Sequence, residues 1–211
     1  MFNFSNKTQT DITFKISDLL KQLKADKQVK ADASKVAEVK LTNILSPERT
    51  FMEASDQVKE IYIIELSLTS KSVPTMFIDV FNKYIEFQTL FKLIYKNEIK
   101  YISSIKQFAD EKMKVLKMFE SDWQNDTMQE LPITNKLENV FKTIISNITG
   151  VSFKKDETYS NYISRLEAIK KLKSEIEKQT KTMNNEKQPN IRMALNDKIK
   201  QMKKELQKLE V

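Results

Sequence analysis

Glu60-Ile61-Tyr62-Ile63-Ile64-Glu65-Leu66-Ser67-Leu68 is the stretch on which the fold turns. Ile61 to Ile64 is almost wholly apolar, and Leu66 and Leu68 then alternate with polar neighbours. A strand apolar on both sides belongs inside a sheet covered on both faces, so a central strand is expected over 58–69. Downstream, Ser72-Val73-Pro74 opens a helix, with Ser72 as cap and the proline where a missing N–H does least harm. That helix is expected to bury Phe77, Ile78, Phe81 and Tyr84. Two strands follow, 89–95 and 99–105, across the turn Lys96-Asn97-Glu98, and 113–123 alternates again through Val115, Leu116, Met118 and Phe119. A loop at 125–132 leads to a helix capped by Thr134, carrying Leu137, Val140, Phe141, Ile144 and Ile145, and stopped by Gly150.

Upstream, Val39, Leu41 and Ile44 read as a strand that ends in a turn at Ser46-Pro47-Glu48-Arg49. Residues 25–35 read as polar loop or frayed helix. Residues 11–24 place Ile12, Ile16, Leu19, Leu20 and Leu23 at helical spacing behind a capping Asp11. The first 150 residues are thus expected to be α+β, with helices packed on a mixed, mainly antiparallel sheet. The strand–helix–strand order over 58–95 also admits a parallel pair joined by a crossover.

The rest of the chain differs. Tyr162, Leu166, Ile169, Ile176 and Met183 step by roughly a heptad, interrupted at Lys173 and Thr180. After the break Glu186-Lys187-Gln188-Pro189, the positions Ile191, Leu195, Ile199, Met202, Leu206 and Leu209 form a second stripe. Stripes this narrow need partners, and the short connection makes an antiparallel, coiled-coil-like hairpin the economical arrangement. A kinked single helix and an intermolecular coiled coil are the alternatives. The expected division is a body, 1–153, and a basic C-terminal helical hairpin, 154–211. The hairpin carries 15 Lys+Arg against 9 Asp+Glu, a net of +6 out of the chain's +7.

Composition narrows the chemistry. No cysteine and no histidine occur among the 211 residues, which removes disulfides, thiolate metal sites and imidazole acid–base catalysis. A single glycine removes Gly-rich phosphate loops. No apolar run reaches the roughly 20 residues of a membrane span, and the N-terminus lacks the pattern of a signal peptide, so a cytoplasmic protein is expected. No cofactor is implied.

Several segments carry a family likeness. They are Met1-Phe2-Asn3-Phe4, Asn43-Ile44-Leu45-Ser46-Pro47 with the strand Glu60 to Leu66, and the ending Asn185-Glu186-Lys187-Gln188-Pro189-Asn190, Leu195-Asn196-Asp197-Lys198-Ile199-Lys200 and Lys203-Lys204-Glu205-Leu206. Together they resemble the bacterial domain-of-unknown-function family forty-three ninety-one. Phe51-Met52-Glu53-Ala54-Ser55-Asp56 departs from its pattern by lacking a glycine. The resemblance implies an α/β body with a C-terminal helical pair, found beside DNA methyltransferase and helicase genes of restriction-like, phage-defence systems. It supplies no catalytic residues. It implies an accessory subunit that contacts protein subunits of such a complex, a methyltransferase or helicase among them.

The candidate binding residues are Lys170, Lys171, Lys173, Lys178, Lys181, Arg192, Lys198, Lys200, Lys203 and Lys204, which can neutralise phosphates or an acidic protein surface. The plainer reading is a solvated helical face with charges paired at i,i+4. Lysine outnumbers arginine, which suits backbone contact over base readout. A competing enzymatic reading takes Glu98-Ile99-Lys100, with Asp79 or Glu65, as a metal-dependent nuclease set. Arg49 offers a loop cation, and Trp123 is either a partner anchor or a sheet-edge core residue, as the aromatics Phe77, Phe81, Phe87 and Phe91 are core.

Overall fold

The structure, a computed structural model, describes residues 2, 4–109, 112–125 and 134–210. The chain divides into two compact units, Met1–Thr149 and Gly150–Val211. In the first, strands β1 (Gln9–Phe14), β2 (Val36–Leu45), β3 (Ile61–Leu68), β4 (Gln88–Tyr95), β5 (Glu98–Ala109) and β6 (Lys112–Glu120) lie in that spatial order. A two-residue strand, β7 (Gln124–Asn125), pairs with the start of β5. Every pairing is antiparallel except β3 with β4. Helix α4 (Thr75–Tyr84) lies between those two in sequence, the crossover that a parallel pair requires.

The fold is therefore α+β around a central β3. Ile64, Leu66 and Leu68 join Val39, Leu41, Phe91 and Leu93 in a core with residues of helices α1 (Ile16–Gln22), α2 (Lys27–Ala33) and α4. Phe81 sits among the aromatics, its ring 5.7 Å from Phe77 and 5.8 Å from Phe91. Burying each such side chain contributes about 1.5–3 kcal/mol. The alternate residues Ile61 and Ile63 are buried as well, so β3 is apolar on both sides for the reason expected. Helix α5 (Leu137–Thr149) runs along β5 and β6, with Leu137, Val140, Phe141, Ile144 and Ile145 out of solvent. It ends where Gly150 takes φ +71°, a conformation glycine adopts without Cβ strain.

The structure corrects several expectations. Residues 11–24 are not one helix: β1 occupies the first part and pairs Ile12 with Leu41 and Phe14 with Val39, and α1 begins only at Ile16. Thr10, Ile12, Thr13 and Phe14 are β-branched or aromatic, and the edge of β2 gives them a ladder that outweighs the helical spacing. Ile12, counted as helix core, is 47 % exposed. The polar stretch 25–35 contains α2, whose first turn is fixed by Asp26 Oδ1 accepting from the Val29 N–H at 2.8 Å. Ser46 to Arg49 is no open turn but the start of a four-residue helix, α3 (Pro47–Thr50), closed by Phe51 at φ +59°. Tyr84 is exposed.

Ser72 does not cap α4. The carboxylate of Asp32, in α2, accepts from the N–H groups of Met76 and Phe77 at 2.8 and 3.1 Å, while Lys35 holds its other oxygen at 2.6 Å. The cap is 44 residues away in sequence, beyond any local pattern. Thr134 Oγ1 accepts from the Lys136 N–H near the start of α5. Most of the expected loop at 125–132 lies outside the described residues.

In the second unit, helices α6 (Tyr159–Asn185) and α7 (Pro189–Glu210) pack as an antiparallel hairpin. Thr158 caps α6 by accepting from the Asn161 N–H, and Pro189 opens α7. Among the described residues, no helix is long and apolar enough to cross a membrane.

Candidate functional site

The base of the hairpin is tied by Arg165. Its guanidinium makes two 2.7 Å bonds to the Glu157 carboxylate and donates to the carbonyls of Ser152 and Leu209, also at 2.7 Å. Lys154 Nζ donates to the Lys208 carbonyl at 3.1 Å. Two cations thus satisfy carbonyls at the end of α7 that no helical N–H reaches, at the negative pole of its dipole. Phe153 stacks on Tyr162, ring centroids 3.6 Å apart, and the Tyr162 hydroxyl donates to the Val151 carbonyl. The interrupted heptad now has a cause: Lys173 reaches Glu210 on α7 at 2.6 Å, and the Thr180 hydroxyl bonds back to the Ile176 carbonyl. Burial is concentrated at Tyr162, Ile169 and Ile199, whereas Ile191, expected in the seam, and Met193 are exposed at the tip.

All ten predicted binding residues are exposed, but their surroundings differ. Lys173, Lys181 and Lys200 have carboxylates within 4 Å: Glu210, Glu177 and Asp197 respectively. Lys171, Lys178 and Lys198 gather around Glu175, whose carboxyl is held below its usual range by a hydrogen bond from Gln179 and, further down, by the charges of those lysines. Lys170, Arg192, Lys203 and Lys204 have no carboxylate at ion-pair distance among the described residues. At 100° per residue these side chains do not form one stripe; they ring the outward faces of both helices. Arg165, the arm's other arginine, is committed to the fold.

The nuclease set is not assembled. Glu98 takes both its oxygens to Lys71, Lys100 pairs with Glu120, and Asp79 pairs with Lys83 within α4. Glu65 is elsewhere. It sits on β3 between the core residues Ile64 and Leu66, so it projects to the opposite face of the sheet. There it opposes Lys40 on β2 and Lys92 on β4, and Lys92 in turn opposes Tyr101 on β5. Glu65, Lys92 and Tyr101, with Asp11 and Asn43, line a groove of about 370 Å³, walled at one end by Phe2 and Phe4; Lys40 is outside that lining and pairs with Glu38 at 3.1 Å. Phe2 is buried, its ring 5.2 Å from that of Tyr101. Lys92 is 7 % exposed, with Nζ 3.5 Å from Glu65 Oε2. Lys40 is raised above the ordinary lysine value, first by its hydrogen bond to Glu38 and then by the charges of Glu38, Asp11 and Glu65.

Sequence reasoning named Glu65 only for the unassembled set and did not single out Asp11, Lys92 and Tyr101 as groove residues. A signal was present. Glu65 and Lys92 are single charges inside otherwise apolar strands, where a charge is costly without a partner.

Trp123 is half-buried against the core with Lys71 over its ring at 5.7 Å. Phe77, Phe81 and Phe91 are core, and Phe87 lies 5.0 Å from Tyr62. Arg49 Nη1 donates to the Gln9 carbonyl, beside β1.

An α+β unit followed by a separate helical hairpin is the architecture that the sequence resemblance implied. Over residues 3–206 the chain matches the family described as Domain of unknown function (DUF4391), and it belongs to that family. No curated protein and no solved structure matches it.

Proposed function

We propose that this protein is a non-catalytic accessory subunit of a bacterial DNA-modification, restriction or phage-defence complex. Its hairpin docks an acidic surface of a partner protein, such as a methyltransferase or helicase, and touches the DNA backbone beside it. The observation that carries this reading is the placement of charge. Nearly all the chain's surplus, +6 of +7, lies on the hairpin, and Lys170, Arg192, Lys203 and Lys204 are exposed there without a carboxylate to neutralise them among the described residues. Lysines ringing two faces suit a charged surface more than a sequence-reading groove, which calls for arginine forks. The Arg165 tie and the cross-helix pair of Lys173 with Glu210 make the hairpin a preformed element, which lowers the ordering cost of docking. Cytoplasmic localisation follows from this role.

The test is equilibrium binding of the full chain to a random-sequence DNA duplex across a salt series, alongside co-purification with a methyltransferase or helicase of the native host. Each phosphate contact adds about 0.9 to the slope of log affinity against log salt. The triple variant Lys170→Glu, Lys203→Glu, Lys204→Glu is expected to lose both interactions while remaining folded. Retention of both by that variant refutes the reading.

A further inference from the structure

We infer that the end of the hairpin around its bend is a docking site for an acidic amphipathic helix of a partner protein. This rests on the docking reading above, and names the end that is gripped and the chemistry that grips it. Pro189, Arg192, Met193 and Asn196 fall at i, i+3, i+4 and i+7, which puts them on one face of α7. With Met183 of α6 and Lys187 of the connection they line an open groove of about 490 Å³. Its size lies within the roughly 300–1,000 Å³ of ligand pockets. Every residue from Lys187 to Ala194 is exposed, Met193 by 69 %. The packing of α6 on α7 makes little use of this face, since its burial sits further along, at Tyr162, Ile169 and Ile199.

Residue type and charge select the occupant. Methionine and arginine are enriched at protein–protein interfaces, and arginine is a frequent hot spot there. Methionine is unbranched and polarizable, so a groove floored by Met183 and Met193 adapts to apolar side chains of more than one shape. Lys187 and Arg192 share that lining, with no carboxylate at ion-pair distance among the described residues. Glu186, the one acidic residue between 182 and 196, turns Oε1 to the Gln188 N–H at 2.8 Å. An occupant must therefore bring its own carboxylates beside apolar anchors. An amphipathic helix does this with a single element: its apolar face enters the groove, and glutamates on its flanks reach Lys187 and the Arg192 fork. A second copy of the chain is opposed, because pairing bend to bend sets Lys187 and Arg192 against their own counterparts. A single-stranded nucleic acid would find no aromatic residue to stack on between 182 and 196.

The experiment titrates the full chain into a short fluorescently labelled helical peptide with leucines at i, i+3, i+4 and i+7 and glutamates between them, read by anisotropy. A counterpart carries lysines in place of the glutamates. The glutamate peptide is expected to bind at least about ten-fold tighter than the lysine peptide. Met193→Ser and Arg192→Glu should each weaken it by about ten-fold, the factor a modest hot spot supplies. Both residues are exposed, so both variants keep the hairpin, checked by circular dichroism. Lys21→Glu, on an exposed lysine of α1, should bind the peptide as the unaltered chain does. The inference is overturned if the glutamate peptide does not bind, if the lysine peptide binds as well, or if either hairpin variant binds like the unaltered chain. It is also overturned if Lys21→Glu weakens binding as much, which would mean unspecific charge attraction. A dimer in light scattering that Met193→Ser dissociates, or displacement of the peptide by a single-stranded oligonucleotide, would assign the groove to another occupant and overturn it too. The docking reading has its own readout. If the triple lysine variant loses DNA and partner protein while the peptide results fail, docking stands and only its placement at the bend falls.

Discussion

Lys106 offers a sharp test of the physical reading of the first unit. Its side chain is 1 % exposed and faces no carboxylate at ion-pair distance among the described residues. Instead Nζ donates to the carbonyls of Ile85 and Phe87 at 2.9 and 2.7 Å and to the Thr89 hydroxyl at 3.3 Å, closing the C-terminal end of α4. Burial lowers its pKa from 10.5 to about 7. A depressed lysine means that the unfolded chain holds the proton more tightly than the folded one. Below pH 7 both states are charged and the burial penalty is fully present. Between about 7 and 10.5 the folded state releases the proton first, so stability rises with pH, and above that window it levels off. At about 1.4 kcal/mol per pH unit, the gain from about pH 6.5 to about pH 9.5 is about 3 kcal/mol. Lys106→Met removes the titration and leaves two carbonyls without their donor, at a pH-independent cost of about 1–3 kcal/mol. Urea unfolding of both chains across that range, followed by Trp123 fluorescence, should show the unaltered chain gaining on the variant by about 3 kcal/mol. A gap constant to within about 0.5 kcal/mol would mean that this ammonium is not desolvated, and the reasoning would fail.

Other outcomes follow from single contacts. Asp32→Ala removes two charge-assisted bonds at the start of α4 and should cost about 1–2 kcal/mol in urea unfolding, with Asp32→Asn losing less. Arg165→Met strands the buried Glu157 carboxylate and should cost about 3–5 kcal/mol, read as faster amide exchange at the last turn of α7. Burial raises the Glu157 pKa, but the Arg165 hydrogen bond, the Lys154 backbone N–H and both charges outweigh it and leave it below 4.5. Its contribution is therefore present above that value and lost as pH falls further, so exchange in the hairpin should quicken in acid. Phe2→Ala should open the groove and shift Tyr101 ultraviolet absorbance towards that of an exposed tyrosine; an unchanged spectrum would show that Phe2 does not shield it.

The fold was legible where one period dominated. The two-sided apolar run of β3, the α5 stripe ending at Gly150, and the paired stripes broken at Pro189 each correspond to an element of the structure. Legibility failed where two periods overlapped or a partner came from afar. Ile12 satisfies both a helical and an alternating pattern, and only the presence of β2 decides between them. The cap of α4 is on α2, so no window around Ser72 could reveal it. The ten cationic residues lie on exposed helical faces, but their pairing was not readable, because Lys173 meets Glu210 only once the hairpin closes. The groove was invisible for a related reason. Asp11, Asn43, Glu65, Lys92 and Tyr101 come from five strands, and only the register makes them neighbours.

The Arg165 bond to the Leu209 carbonyl joins residues 44 apart, so the hairpin is clasped by side chains at the end away from its bend. Stiffness should decline steadily from the clasp outward, because apolar burial thins from Tyr162 and Ile199 to the bare Ile191 and Met193. A companion gripping the clasped end meets a fixed shape, whereas one gripping the bend can remould it. Rigidity and adaptability are thereby assigned to opposite ends of the same two helices.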